Sequence, residues 1–351
     1  YSDVAVTRWS APAIEYCATL GIVAGNGDST FNPAGTLTGY AFAKMLLTAL
    51  GYKAETEGFT GSSWTINVAR YALEVGLGKN MGGITWGATL TREQAAQMAL
   101  NAIKAPLVAY KDGATIIING EKVSFGSGDA YYVTTTLAKE QRISKAQLSN
   151  SKEYTVEFGE KYFPKLVLNT DETDAFGRPV YTWSYDKEDI GTYVNTELLL
   201  ASYTTSVKGG EIYSDIGSVA SDYDLTYYVD GVTLSTTDTK AEAAKLAKKN
   251  DQNMYKSGKG VLTEVYADSD SEELSIVVIN TYLAQAVSDY SKTTEKLTVR
   301  IYNAYSTSIT RTLSNDDFDV ADYKKDDVML VTMAGSNPVV ETVAAPEVVS
   351  N

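Results

Sequence analysis

Histidine is absent from this 351-residue chain. That removes the general base of serine–histidine and cysteine–histidine nucleophilic sites, and the imidazole ligands of the usual zinc hydrolases. Cysteine occurs once, at Cys17, so no disulfide can form within the chain. No Gly-x-Ser-x-Gly elbow, Walker loop or dinucleotide fingerprint is present. No apolar run is long enough to span a bilayer. Basic residues are outnumbered by acidic ones, 30 against 44, for a formal net charge of −14. Phosphate binding needs a basic footprint, so nucleic acid is not an expected partner. The chain also lacks an initiating Met and a signal-peptide pattern, and it opens directly on a motif that recurs later. The expectation is a processed or trimmed product that has lost an earlier repeat and continues beyond Asn351.

What is present is a pattern used twice. The first copy runs through Tyr1-Ser-Asp3, Trp9, Ala13-Ile14, Gly21-Ile22, Gly25, Phe31-Asn-Pro33 and Leu37-Thr38 to a helical run ending at Gly51. The second runs through Phe59, Trp64, Val68-Ala69, Gly76-Leu77 and Leu90-Thr-Arg-Glu-Gln94 to another helical run. Thr38 and Thr91 lie 53 positions apart, and Trp9 and Trp64 lie 55 apart. A period of that size marks one supersecondary unit that stacks on its neighbours. In the first copy Ser10 serves as N-cap and Pro12 sits in the first turn, where a missing N–H costs little. Ile14, Cys17 and Ala18 share a face, which makes Cys17 a buried small hydrophobe, and Gly21 stops the helix. Thr38 caps a second helix whose Phe42, Met45, Leu46 and Ala49 follow helical spacing. In the second copy Thr91 and Gln94 have capping-box spacing, and Ala95, Met98, Ala99 and Ala102 form the apolar face. The unit is helix, loop, helix.

These residues resemble the S-layer homology repeat, which anchors bacterial proteins to the cell wall. The likeness covers about the first 105 residues, tight in the first copy and looser in the second. It implies an extracellular, wall-attached location and a polysaccharide partner, specifically a pyruvylated secondary cell-wall polysaccharide. The family's Thr-Arg-Ala-Glu stretch, matched here by Thr91, Arg92 and Glu93, implies a carboxylate-binding role, and Trp64, Asp3 and Trp9 match further family positions. An arginine beside free helix N–H groups suits a carboxylate. The alternative is that Thr91 and Gln94 merely cap while Glu93 complements the helix dipole and Arg92 is solvated. For the tryptophans the alternative is packing against their own helix pair. The first copy departs from the family at Thr38-Gly39-Tyr40-Ala41, where both charged members are missing, and the second has Gly61 where the first has Asp3.

Beyond Pro106 the periodicity changes. Thr115–Ile118, Asn119-Gly120 and Glu121–Phe125 read as a hairpin with a type I′ turn. Further strands are expected at 131–136, 154–158, 165–168, 180–185, 225–229, 261–266, 274–281, 296–301 and 328–332, rich in Tyr, Thr, Val and Ile. Helical segments are expected over 187–201 and 240–250. The fold class is therefore multidomain: all-α helix–loop–helix repeats, then mainly β domains, sandwich or barrel-like, with a few helices. Boundaries fall at 1–53 and 54–108 for the repeats, 109–207 and 208–335 for two β-rich domains, and 336–351 for a linker. Residues 1–109 hold seven basic and seven acidic side chains, so the whole net charge of −14 lies in the remainder. A neutral module can approach an anionic polymer that the acidic remainder would repel.

Acidic turns at Asp171–Asp174, Asp268–Glu273 and Asn315–Asp319 offer oxygen donors for Ca²⁺; the middle one lacks the glycine an EF-hand loop needs, so solvated turns are the favoured reading and Ca²⁺ binding is the alternative. No cofactor is called for. The 25 tyrosines supply contact surface for self-association, or cross-strand pairs needing no partner. The expected function is structural: noncovalent wall attachment at one end, and assembly of a homo-oligomeric surface layer or filament at the other. The alternatives are a wall-attached enzyme acting on polysaccharide, and repeats that serve oligomerisation alone. A carboxylate pair could make a glycosidase, yet no pocket is legible, so a non-enzyme is expected.

Overall fold

The computed structural model describes residues 1–111, 114–118, 121–125, 128–136, 143, 153–304 and 307–345. The chain divides into two units, Tyr1–Leu168 with Trp183–Asp189, and Asn169–Thr182 with Ile190–Asn351.

The first unit begins with four helices, α1 (Ala11–Thr19), α2 (Gly39–Ala49), α3 (Trp64–Glu74) and α4 (Arg92–Lys104). Their starts follow local chemistry. Thr38 Oγ1 accepts from the Ala41 amide at 3.3 Å. Thr91 and Gln94 form a full capping box, with bonds of 3.1 and 3.0 Å. Ser10 precedes α1 with Pro12 in its first turn, but its hydroxyl makes no cap bond. At the end of α2, Gly51 has φ +108°, and a Cβ there would meet the Val108 carbonyl at 2.2 Å. Only glycine lets the chain after α4 close on α2, where the Val108 amide donates to Leu50 at 2.8 Å.

The core of this unit gathers Ala43, Leu47, Leu50, Phe59, Val68, Ala72, Leu77 and Met98. The most buried line of α2 is Gly39, Ala43 and Leu47, one position from the expected Phe42, Met45, Leu46, Ala49 face; Phe42 and Leu46 pack at its margin. The reason is that α2 is covered on two sides, by α3 and by α4. Its deepest line therefore falls between two apolar edges. Buried Asn101 donates to the carbonyls of Leu77 and Lys79, at 2.9 Å each, and so holds the loop after α3.

Helix α1 differs: none of its residues is buried. Cys17, expected inside, is a free and only half-buried thiol. In the repeat register Ala13, Cys17 and Ile22 match Val68, Ala72 and Leu77, which are fully buried. The latter are covered because α2 lies on α3; among the described residues no helix covers α1 in that way.

After α4 come β1 (Val108–Tyr110), β2 (Ala114–Ile118), β3 (Glu121–Phe125) and β4 (Ala130–Tyr132), with β1 antiparallel to β4 and β2 to β3. The expected turn at Asn119-Gly120 lies outside the described residues. Short strands β5 (Thr134–Thr135) and β6 (Tyr154–Thr155) pair next, and α5 (Phe158–Tyr162) follows. The strand expected to reach Phe158 stops at Thr155 because Glu157 and Glu160 form a capping box that starts α5.

A meander of β7 (Leu166–Thr173), β8 (Pro179–Tyr185) and β9 (Glu188–Val194) follows. The helix expected over 187–201 is replaced by β9 and β10 (Leu199–Tyr203). Asp186 and Lys187 both take positive φ, 53° and 76°. That is the geometry of a two-residue hairpin turn, and it commits the following Thr-Tyr-Val stretch to pairing.

The second unit continues with α6 (Gly209–Ile216), α7 (Val219–Asp222), β11 (Asp224–Val229), β12 (Val232–Thr233), α8 (Thr236–Ala243), β13 (Val261–Asp268), β14 (Glu273–Ala286), β15 (Lys296–Ala304), β16 (Thr307–Ser314), β17 (Val328–Ala334) and β18 (Val339–Ala344). The 14-residue β14 is its spine. Its first half pairs antiparallel with β13 and parallel with β11; its second half pairs antiparallel with β15 and β17. Three buried clusters result among the described residues, one around Tyr227, Val265 and Ile276, one around Tyr266, Val277 and Ile279, and one around Val299, Met329 and Val331. The five strands expected between 225 and 332 fall within β11, β13, β14, β15 and β17. Residues 339–344, expected as linker, form β18, whose Val340 is buried. Val207, at an expected boundary, is 2% exposed and accepts from the Met254 amide. Among the described residues no helix is long and apolar enough to cross a membrane.

Candidate cell-wall binding site

The two copies of the motif meet along a short ribbon. The Leu90 amide donates to Leu37 at 2.9 Å, the Gly39 amide to Ala88 at 3.3 Å, and the Tyr40 amide to Trp86 at 2.9 Å. Thr38 and Thr89 form an antiparallel bridge at its centre. The N-termini of α2 and α4 therefore leave one strip of backbone. The close approach explains the first copy's departure from the family pattern: a Cβ at Gly39 would stand 2.9 Å from the Trp86 carbonyl and 3.0 Å from its Cα. An arginine there would force the ribbon apart.

An aromatic group sits beside the ribbon. The Tyr40 ring lies 6.2 Å from Trp64, edge-on, and 6.2 Å from Trp86, stacked. Lys44 Nζ stands 5.7 Å over the Trp64 ring. All four side chains are partly exposed, and Trp64 and Trp86 also rest on the helical core. Trp64 thus combines the packing and the surface readings.

Arg92 and Glu93 are exposed in the first turn of α4. The Thr91 hydroxyl is spent on the Gln94 amide, so Thr91 acts as a cap. The amides of Arg92 and Glu93 fall at the first two helical positions, which have no partner within a helix. An open helix N-terminus with an exposed guanidinium beside it can hold a carboxylate in two ways at once, through N–H groups and through charge.

Asp3 and Trp9 belong to other surroundings. The Asp3 carboxylate accepts from the Phe31 amide at 2.8 Å and the Asn32 amide at 2.6 Å. The Phe31 bond chiefly holds its pKa below the usual carboxylate value. It ties down the first copy's Phe-Asn-Pro loop, where the rings of Tyr1 and Phe31 are 5.2 Å apart. Trp9 is 88% exposed. Neither shares the ribbon. The sequence pattern does not single out Tyr40, Lys44 and Trp86, because they occupy non-equivalent places in the two copies.

Among the described residues no group of three or more acidic or cysteine side chains is arranged for a metal ion. Several acidic-turn side chains serve their own turns. Asp174 accepts from the Phe176 and Arg178 amides and pairs with the Arg178 guanidinium at 2.7 Å. Asp268 accepts from the Asp270 amide, and Asn315 from that of Val320.

Residues 1–43 match the S-layer homology domain. The chain therefore carries such a domain, a class that binds cell-wall polysaccharide, and its place is the cell-wall surface. A cell surface protein of Thermoanaerobacter kivui is 22% identical over 289 residues, 80% of this chain and 32% of that protein. An endoglucanase of Bacillus sp. (strain KSM-635) is 32% identical over 107 residues, 29% of this chain and 11% of that enzyme. The chain thus spans about a tenth and about a third of these two relatives. No solved structure matches it.

Proposed function

We propose that this is a structural protein of the cell surface, held noncovalently on the wall by helix–loop–helix repeats at 1–53 and 54–108 and assembling through its acidic β-rich remainder into a homo-oligomeric layer or filament. The ligand is a carboxylate-bearing wall polymer of the pyruvylated secondary polysaccharide kind. The observation that carries this reading is the open first turn of α4, with exposed Arg92 beside helix amides that have no partner within the helix, and the Tyr40–Trp64–Trp86 group beside the same ribbon. The amides and guanidinium take the carboxylate, and the rings offer apolar faces to sugar. Glu93 complements the helix dipole, Thr91 fixes the turn, and Asp3 holds the first copy's loop in shape. The charge pattern supports it: residues 1–109 are neutral overall while the remainder carries the net charge of −14. The likeness to a cell surface protein along 80% of the chain supports a structural rather than an enzymatic role.

The test is cosedimentation of the full chain with purified cell-wall sacculi, wild type against Arg92→Ala. Binding should fall about tenfold in the variant, as loss of a charge-assisted bidentate contact implies, and should vanish from sacculi stripped of secondary polymer. Equal binding by both proteins would remove Arg92 from the site.

A further inference from the structure

The first unit holds a second depression, remote in chemistry from the α4 N-terminus. A cavity of about 470 Å³ opens between the loop before α3, α3 itself and β4. Its floor is Tyr52, 3% exposed. Three carboxylates line it, Glu57, Glu74 and Asp129, against one cation, Arg70. Arg70 lies 4.2 Å over the ring of Tyr71. Glu57 is held in place by two phenols: Tyr110 donates to Oε1 at 2.7 Å and Tyr71 donates to Oε2. Glu74 and Asp129 are exposed, and the ring of Tyr131 is 46% exposed beside them.

We propose that this cavity binds an amine-bearing saccharide, a hexosamine unit with a free ammonium group. The volume falls within the range of small-ligand sites, about 300–1,000 Å³. Tyrosine offers an apolar ring face and a hydroxyl together, which suits a sugar's C–H face and its hydroxyl edge. Carboxylates accept from hydroxyls and more strongly from ammonium, and the lining's excess of negative charge attracts a cation while repelling an acidic sugar. Glu57, held by two phenols, is the fixed acceptor; Glu74 and Asp129 are free to close on the ligand. The preference is opposite to that of the Arg92 turn, so one module would read two kinds of wall sugar. This assignment does not depend on the Arg92 reading.

Calorimetric titration of the full chain with a glucosamine trisaccharide, its N-acetylated counterpart and tri-lysine tests it. The glucosamine trisaccharide should bind at least tenfold tighter than either of the others, as a charge-assisted contact implies. Glu74→Gln and Asp129→Asn, both exposed and checked by thermal melting, should each weaken it several-fold. Equal affinity for the acetylated sugar, equal affinity for tri-lysine, absence of binding, or indifference to both carboxylate variants would overturn the assignment.

Discussion

Asp230 shows how much a single residue can hold. It is 2% exposed, with φ +47°, at the turn between β11 and β12. Its carboxylate accepts from the Asn280 amide at 2.8 Å, the Asn280 side chain at 3.0 Å and the Tyr282 hydroxyl at 2.6 Å. Its carbonyl accepts from the Gly335 amide at 2.8 Å. One side chain thereby fixes β14 where its pairing passes from β11 to β17. Asp230→Asn keeps the shape and the tolerance of positive φ but turns one acceptor into a donor facing a donor. It should cost about 2–3 kcal/mol, the scale of losing hydrogen bonds to a buried charge, read as a lowered urea midpoint for the second unit. An unchanged midpoint would mean that the carboxylate is not what fixes the junction.

At the scale of elements, α5 carries a pH dependence. Glu157 at its start is 1% exposed. Burial pushes its pKa up to about 8, with Glu160 adding to the rise and the Thr155 hydroxyl, donating at 2.5 Å, opposing it. In the unfolded chain the group ionises near 4.5. Between these values the folded state holds a proton that the unfolded state has lost, so stability falls as pH rises. The contribution is complete below about pH 4.5 and is lost as pH passes about 8. Denaturation of the first unit should therefore become easier from pH 5 to pH 8, and Glu157→Gln should flatten that slope; a slope equally steep in the variant would assign it elsewhere. Element starts of this kind were partly legible. The Thr91–Gln94 box and the Thr38 cap are local signals and stand where their spacing placed them. The Glu157 box was hidden, because Tyr154-Thr-Val-Glu-Phe158 also reads as a strand, and Glu157 overrides it only once α4 supplies Ile103 against Gly159.

At the scale of the whole molecule, each unit has its own cores. Phe59→Ala, at a fully buried position of the helical core, should cost about 3–5 kcal/mol. In calorimetry it should lower the first unit's transition and leave the second's in place. A single transition that moves as a whole would show that the units unfold together. The repeat period, the Thr38 and Thr91 caps, the strand-rich remainder and the uneven charge could be read from the chain alone. Each depends on residues within a turn or two of one another, or on a count. What depended on distant partners could not be read. The Leu37–Tyr40 and Trp86–Leu90 strips come together from about 50 positions apart, and only that contact puts two helix N-termini and three aromatic rings in one place and requires glycine at position 39. The tyrosine-lined cavity likewise joins α3 to a strand more than 50 residues onward. The uncovered α1 face has the same apolar spacing as the covered α3 face. Spacing prescribes which side of a helix is apolar, but burial is decided by whether another element arrives to cover it.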